Sequence, residues 1–205
     1  MTRSLNEVAA MIGKAARGAG YDWGMTEEAA KAARWLCAQG LDGCGVFAAL
    51  LNVSRKAQAK VEPGRIFGDA PLCPLSAGTA LSDFASTIPP EGMTIAGVLQ
   101  PLVILPFAAD ITRQTGTVLH LTWPEAQALT DGDQLQYEGP VGACAAADIA
   151  IRPGARLSNP NRRVTRATPS PEDWATLSTF AARTYAPATE ASRHLGAGAG
   201  TTDND

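Results

Sequence analysis

Histidine is nearly absent. The chain has two, His120 and His194, in 205 residues, and its four cysteines, Cys37, Cys44, Cys73 and Cys144, form no C-x-x-C pair. A structural zinc site draws four Cys or His ligands at short spacings, so no metal is expected. A basic excess is also missing: Lys and Arg total 17 against 20 Asp and Glu, a net charge of -3. A partner that must be gripped through many phosphates, such as nucleic acid, is therefore not expected. Long apolar runs are lacking too. The nearest, MTIAGVLQPLVILPFAADI from Met93 to Ile111, is broken by Gln100, Pro101, Pro106 and Asp110. It reads as a buried strand, a turn and a buried helix, with no membrane partner. Nor does the N-terminus show a charged segment, an apolar segment and a cleavage site, so a cytoplasmic location with reduced thiols is expected.

What is present is ordinary globular composition, with 45% hydrophobic and 18% charged residues. That is enough for one domain over residues 1–205, with a helical part at 1–52, a β-rich part at 93–152 and C-terminal helices at 170–196. Ser4-Leu5-Asn6-Glu7 is a capping box that opens a helix with Leu5, Val8, Ile12 and Ala15 on one face, closed by Gly18 as a left-handed C-cap. Thr26 is expected to cap a second helix, with Glu27 and Glu28 in its first turn, Trp35 in its buried interior and Gly40 at its end. A third helix is expected over Val46 to Leu51, and a short one after Gly78. Between Asn52 and Pro90, five prolines break any other periodicity.

Beyond that segment the period changes. Met93 to Leu99 reads as a strand, Pro106 to Thr115 as a helix capped by Gly116, and Thr117 to Trp123 as a strand. Asp131-Gly132 marks a hairpin turn into Gln134 to Tyr137, and Ala147 to Ile151 is a further strand. Arg156 to Pro169 is a polar loop, and Ser170-Pro171-Glu172-Asp173 starts a helix with Trp174, Leu177 and Phe180 on its apolar face. Helices, then strands with one helix interposed, then helices predict an α+β fold: N- and C-terminal helices packed on a small, mostly antiparallel sheet.

The candidate chemistry lies at the chain ends. Gly18, Gly20, Gly196, Gly198 and Gly200 would let backbone N–H groups approach an anion, flanked by Arg17 and Arg193 as two-pronged donors. The spacing matches no phosphate-loop motif, and Gly18 and Gly196 serve equally as helix caps. Pro187 to Leu195 reads as a helix that places Ser192 beside Arg193, with Tyr185 nearby to orient a carboxylate. Trp23 would wall the site, and Glu28 or Asp203 would be its acid–base group. His120 and Asp83 stand apart, His120 on the strand face opposite Leu119 and Leu121; the arginines between Arg152 and Arg166 are a solvated loop or a surface for an acidic partner.

Two resemblances follow. RGAG-x-x-WG-x-x-EEA (Arg17 to Ala29), CPLSAGTALSD (Cys73 to Asp83) and TYAPATEASR…GAGAG…DND (Thr184 to Asp205) resemble a family of uncharacterised proteobacterial proteins, a domain of unknown function. The resemblance implies a bacterial single-domain protein and no particular reaction. The stretch Thr26 to Leu51 resembles more faintly the N-terminal helices of the malate/L-lactate dehydrogenases that lack a Rossmann fold, implying an oxidoreductase. There the family's Ser-His-Gly is replaced by Asp42-Gly43-Cys44-Gly45, which removes the histidine that matters.

The reading that follows is a protein that binds a small anionic metabolite where its two ends meet, with no cofactor assigned and any reaction unassigned. The alternative is a non-catalytic accessory subunit that presents those ends, together with the Arg152 to Arg166 loop, to a protein partner or to a second copy.

Overall fold

The computed structural model describes residues 1–53, 56–69, 71–83 and 88–185. It is an α+β fold. The chain runs β1 (Arg3–Ser4), α1 (Leu5–Gly18), α2 (Trp23–Ala38), α3 (Gly43–Asn52), β2 (Lys60–Glu62), β3 (Arg65–Phe67), α4 (Pro74–Asp83), β4 (Met93–Val98) and α5 (Ile104–Thr115). It continues through β5 (Leu119–Trp123), β6 (Ala126–Thr130), β7 (Leu135–Glu138), β8 (Ala147–Pro153), β9 (Arg166–Ala167) and α6 (Pro171–Ala182). Among the described residues, seven strands form one sheet in the order β2-β3-β4-β8-β5-β6-β7. Every neighbouring pair is antiparallel except β3 and β4.

Two groups of helices flank one core. α1 packs along α2 and α6, while α6 also meets α3; α4 and α5 lie on the sheet. Val8, Ile12, Leu36, Phe47 and Leu50 of the helical layer are fully buried, as are Ile95, Leu121, Ile149 and Ile151 of the sheet. Strand β5 alternates buried and half-buried positions, which puts His120 on the face away from Leu119 and Leu121. The apolar stretch from Met93 to Ile111 becomes β4, a 3₁₀ turn at Pro101–Val103 and the first part of α5. Among the described residues, no helix is long and apolar enough to cross a membrane.

The caps show why these segments are helices. Ser4 and Glu7 form the expected box: the Glu7 N–H donates to the Ser4 hydroxyl, and the Glu7 carboxylate accepts the Ser4 N–H at 2.7 Å. The Ser170 hydroxyl accepts the Asp173 N–H at 3.0 Å, with Pro171 at the first helical position. Ser170→Ala is expected to cost about 1 kcal/mol, read as a lower denaturant midpoint at unchanged slope. Gly116 closes α5 at φ 71°.

Several expectations are corrected. α2 starts at Trp23, because Asp22 is its cap and accepts the Met25 N–H at 2.8 Å. Thr26 lies inside the helix, buried, its hydroxyl donating back to the Asp22 carbonyl at 2.7 Å. Glu27 and Glu28 are thus beyond the first turn. Asp42 caps α3 three residues earlier than expected, and α4 starts at Pro74 so that Gly78 falls in its middle. Pro63-Gly64 turns a hairpin between β2 and β3, which was not expected because both strands are short and weakly alternating, and Pro124-Glu125 turns another from the expected β5 into β6, a strand that was not expected. Trp35 is half-buried, not core.

Gly18 is the most informative correction. It is the last residue of α1, and the left-handed residue is Gly20 at φ 95°. A Cβ at Gly18 would lie 1.8 Å from the Phe180 carbonyl oxygen. The glycine is therefore demanded by the contact between α1 and α6 and not by a turn.

Candidate functional site

The described part of the two chain ends does come together. The end of α6 lies against the end of α1 through Gly18 and Phe180. The Lys14 ammonium sits 5.9 Å over the ring of Tyr185, which is 66% exposed. The Arg17 guanidinium lies 4.6 Å over Trp23 and donates to the Tyr21 carbonyl at 3.0 Å. Gly20 offers no open N–H, because it donates to the Arg17 carbonyl at 3.0 Å. Arg17 therefore braces the turn between α1 and α2, stacked on an indole that is itself 68% exposed. Ser192, Arg193, Gly196, Gly198, Gly200 and Asp203 lie outside the described residues, as does the helix expected over Pro187 to Leu195.

Glu28 is elsewhere. On α2, Glu28, Lys31, Trp35 and Ala38 recur at helical spacing and share one face. On α5, Pro106, Asp110 and Arg113 do the same, with Phe107 beside them. These faces border a cleft of about 280 Å³, whose rim is completed by Arg34 and by Arg163 from the loop before β9. An adjoining lobe of about 400 Å³ shares Glu28, Lys31, Phe107, Asp110 and Arg113, and adds Thr79, Ser82 and Asp83 of α4. Neither Arg17 nor Trp23 lines either lobe.

The cleft reverses the sign of the chain. Lys31, Arg34, Arg113 and Arg163 face Glu28 and Asp110 in the first lobe, and Asp83 joins them in the second, four cations to three carboxylates over both lobes, in a protein of net charge -3. Lys31 donates to Glu28 at 2.8 Å, and that bond holds its ammonium above the ordinary lysine value. Arg113 pairs with Asp110 and also donates to the Gly132 carbonyl. Arg34 and Arg163 have no ion-pair partner among the described residues. Two guanidinium groups beside aromatic surface suit a carboxylate or phosphate attached to an organic body: charge-assisted bonds hold the anion, and Trp35 and Phe107 cover the rest.

The helical spacing on α2 could have pointed to its half of this cleft. Arg163 could not have been found, because it arrives from a loop that only tertiary folding brings alongside.

Other singled-out residues have structural partners. The Tyr21 hydroxyl and the Cys73 thiol lie 3.6 Å apart, joining the RGAGYDW and CPLSAG segments. Burial, with Cys73 beside it, raises the Tyr21 phenol far above its ordinary value, so it stays neutral. His120 Nε2 lies 3.2 Å from the Gln127 side-chain oxygen on the neighbouring strand. All four cysteines are free, with Cys37, Cys44 and Cys73 buried and Cys144 half-buried.

Residues 3–89 match the model of a family described as "Protein of unknown function (DUF3726)". The resemblance to an uncharacterised domain-of-unknown-function family holds over that stretch. No curated protein matches the chain. The crystal structure of malate dehydrogenase from Entamoeba histolytica is similar over 73% of this chain and 49% of its own, at 11% identity and a TM-score of 0.41. This chain spans about half the length of that protein, and likeness at this level assigns it no activity.

Proposed function

We propose, for a chain that matches a family of unknown function over residues 3–89, that it binds a small organic anion in the cleft between α2 and α5. One observation carries the reading. Arg34 and Arg163, without carboxylate partners among the described residues, stand on the rim of a cleft walled by Trp35 and Phe107. Guanidinium groups left out of ion pairs can give their donors to a ligand without first breaking an internal bond. The reading keeps the anion expected from the sequence and moves it from the chain ends to the cleft, where Glu28 and Asp110 are the nearest carboxylates for proton transfer.

The test is a thermal-shift titration with inorganic phosphate and a panel of di- and tricarboxylates. A ligand at about 100 times its Kd stabilises the fold by about 2.7 kcal/mol. Arg34→Ala and Arg163→Ala should each weaken the response at least roughly tenfold, about 1.4 kcal/mol, while Arg17→Ala leaves it intact. Absence of any saturable shift in the unaltered protein would overturn the proposal. A shift that survives both cleft substitutions and vanishes with Arg17→Ala would return the site to the chain ends.

A second reading has its own observation. Trp23 and Tyr185 are both about two-thirds exposed and carry Arg17 and Lys14 over their rings. Exposed aromatics beside cations are typical of protein interfaces, which fits an accessory subunit. A change of oligomeric state or of partner capture on Trp23→Ala, with ligand response unchanged, would support it.

A further inference from the structure

Cys37 and Cys44 are used neither by the cleft nor by any metal site. Cys37 sits in the last turn of α2 and Cys44 in the first turn of α3, across the tight turn from Gln39 to Asp42. The Cys37 sulfur lies over Gly43, where an added Cβ would approach it to 3.0 Å, and Gly43 is the residue before Cys44. Cys37 also forms part of the wall of a separate cleft of about 280 Å³, between that turn and the segment from Val164 to Pro169. A water molecule occupies about 30 Å³, so a peroxide has ample room.

We propose that Cys37 and Cys44 form a redox-active dithiol, with Cys37 attacking a peroxide that enters this cleft and Cys44 closing the disulfide. The electrostatics agree with that order. The neighbouring Cys44 thiol, first of all, holds the Cys37 thiol below its ordinary value, against burial and the Asp42 carboxylate. Cys44 is pushed up, first by the neighbouring Cys37 thiol, then by burial and by Asp42 and Asp173. Cys37 borders the cleft and is the nucleophile; Cys44 does not line it and keeps its proton until the second step.

The chemistry balances. The Cys37 thiolate attacks one peroxide oxygen: an S–O bond forms, the O–O bond breaks, and the departing hydroxide takes up a proton as water. Cys37 is then a sulfenic acid. The Cys44 sulfur attacks Cys37: the S–S bond forms, the S–O bond breaks, and the leaving hydroxide takes the Cys44 proton as a second water. Two thiols lose two electrons and one hydrogen peroxide gains them.

The experiment exposes the folded protein to hydrogen peroxide, blocks remaining thiols after denaturation, and cleaves before Asp42, which separates Cys37 from Cys44 unless they are linked. The expected result is a linked Cys37–Cys44 peptide that forms at least about ten times faster than oxidation of Cys73 or Cys144. In Cys44→Ser, dimedone should label Cys37; in Cys37→Ser, it should leave Cys44 unlabelled. The inference is overturned if no linkage forms in the folded protein, or if Cys73 or Cys144 reacts as fast as Cys37. The unaltered protein decides the question even if a serine variant fails to fold.

Discussion

Gly18→Ala is expected to lower the stability by about 3 kcal/mol and the melting temperature by about 10 °C. Local rules forecast the opposite. Gly18 is helical and its φ is not positive, so alanine suits its backbone and should gain about 1 kcal/mol of helix propensity. The new methyl, however, would sit 1.8 Å from the Phe180 carbonyl oxygen and 2.8 Å from its carbon. That neighbour is backbone, so no rotamer change relieves the clash, and α1 must draw away from α6 by more than an ångström. Overpacking of this kind outweighs the propensity gain. Gly20→Ala provides the contrast: at φ 95°, with nothing within 4 Å of the added methyl, it should cost only about 1–2 kcal/mol of backbone strain. If Gly18→Ala unfolds at or above the temperature of the unaltered protein, the packing assignment is wrong. If it keeps its stability yet loses response to anions, the glycine belongs to a chain-end site.

The second large effect links packing to the cleft. In Gly78→Ala the methyl would meet three ring atoms of Phe107, at 2.2, 2.4 and 2.5 Å. Here the obstacle is a side chain, which can turn at a cost, and Phe107 walls both lobes of the cleft. The substitution should destabilise the protein by about 2 kcal/mol and displace the ring, weakening anion binding at the same time. Phe107→Leu removes part of the obstacle. The double variant should therefore be more stable than the sum of the single effects by about 1 kcal/mol. Strict additivity, measured by denaturant unfolding of the four proteins, would show that Gly78 and Phe107 do not press on each other.

The helix starts at Ser4 and Ser170 were legible because their hydrogen bonds close within three residues. Gly116 was legible for the same reason: a left-handed residue after a periodic segment is a local matter. The start of α2 was not. Asp and Thr are both residue types that cap helices, and they stand four positions apart; the cap is Asp22, with Thr26 buried inside the helix. The hairpin from β2 to β3 was hidden because its two strands are three residues each and the first is fully exposed, leaving no alternation to read. Of the site, Arg17, Gly18, Gly20 and Trp23 were picked out by composition, and they form one turn. In the structure Arg17 lies over Trp23 and bonds the Tyr21 carbonyl, and Gly18 meets Phe180. Glu28 was chosen for its neighbour Glu27, yet its partner is Lys31 and its cleft is shared with α5.

The amino-acid sequence by itself determined the α+β class, the order of most elements, the caps at Ser4, Ser170 and Gly116, and the interruption of the one apolar stretch. Each depends on contacts within a turn or on a period that repeats along the chain. Tertiary structure alone decided that Gly18 and Gly78 are glycines because of Phe180 and Phe107, that the Cys37 sulfur lies over Gly43, and that Arg163 lines one cleft with Arg34 and Trp35. Those facts depend on what lies across an interface, and a pattern along one segment carries no information about the segment that will face it.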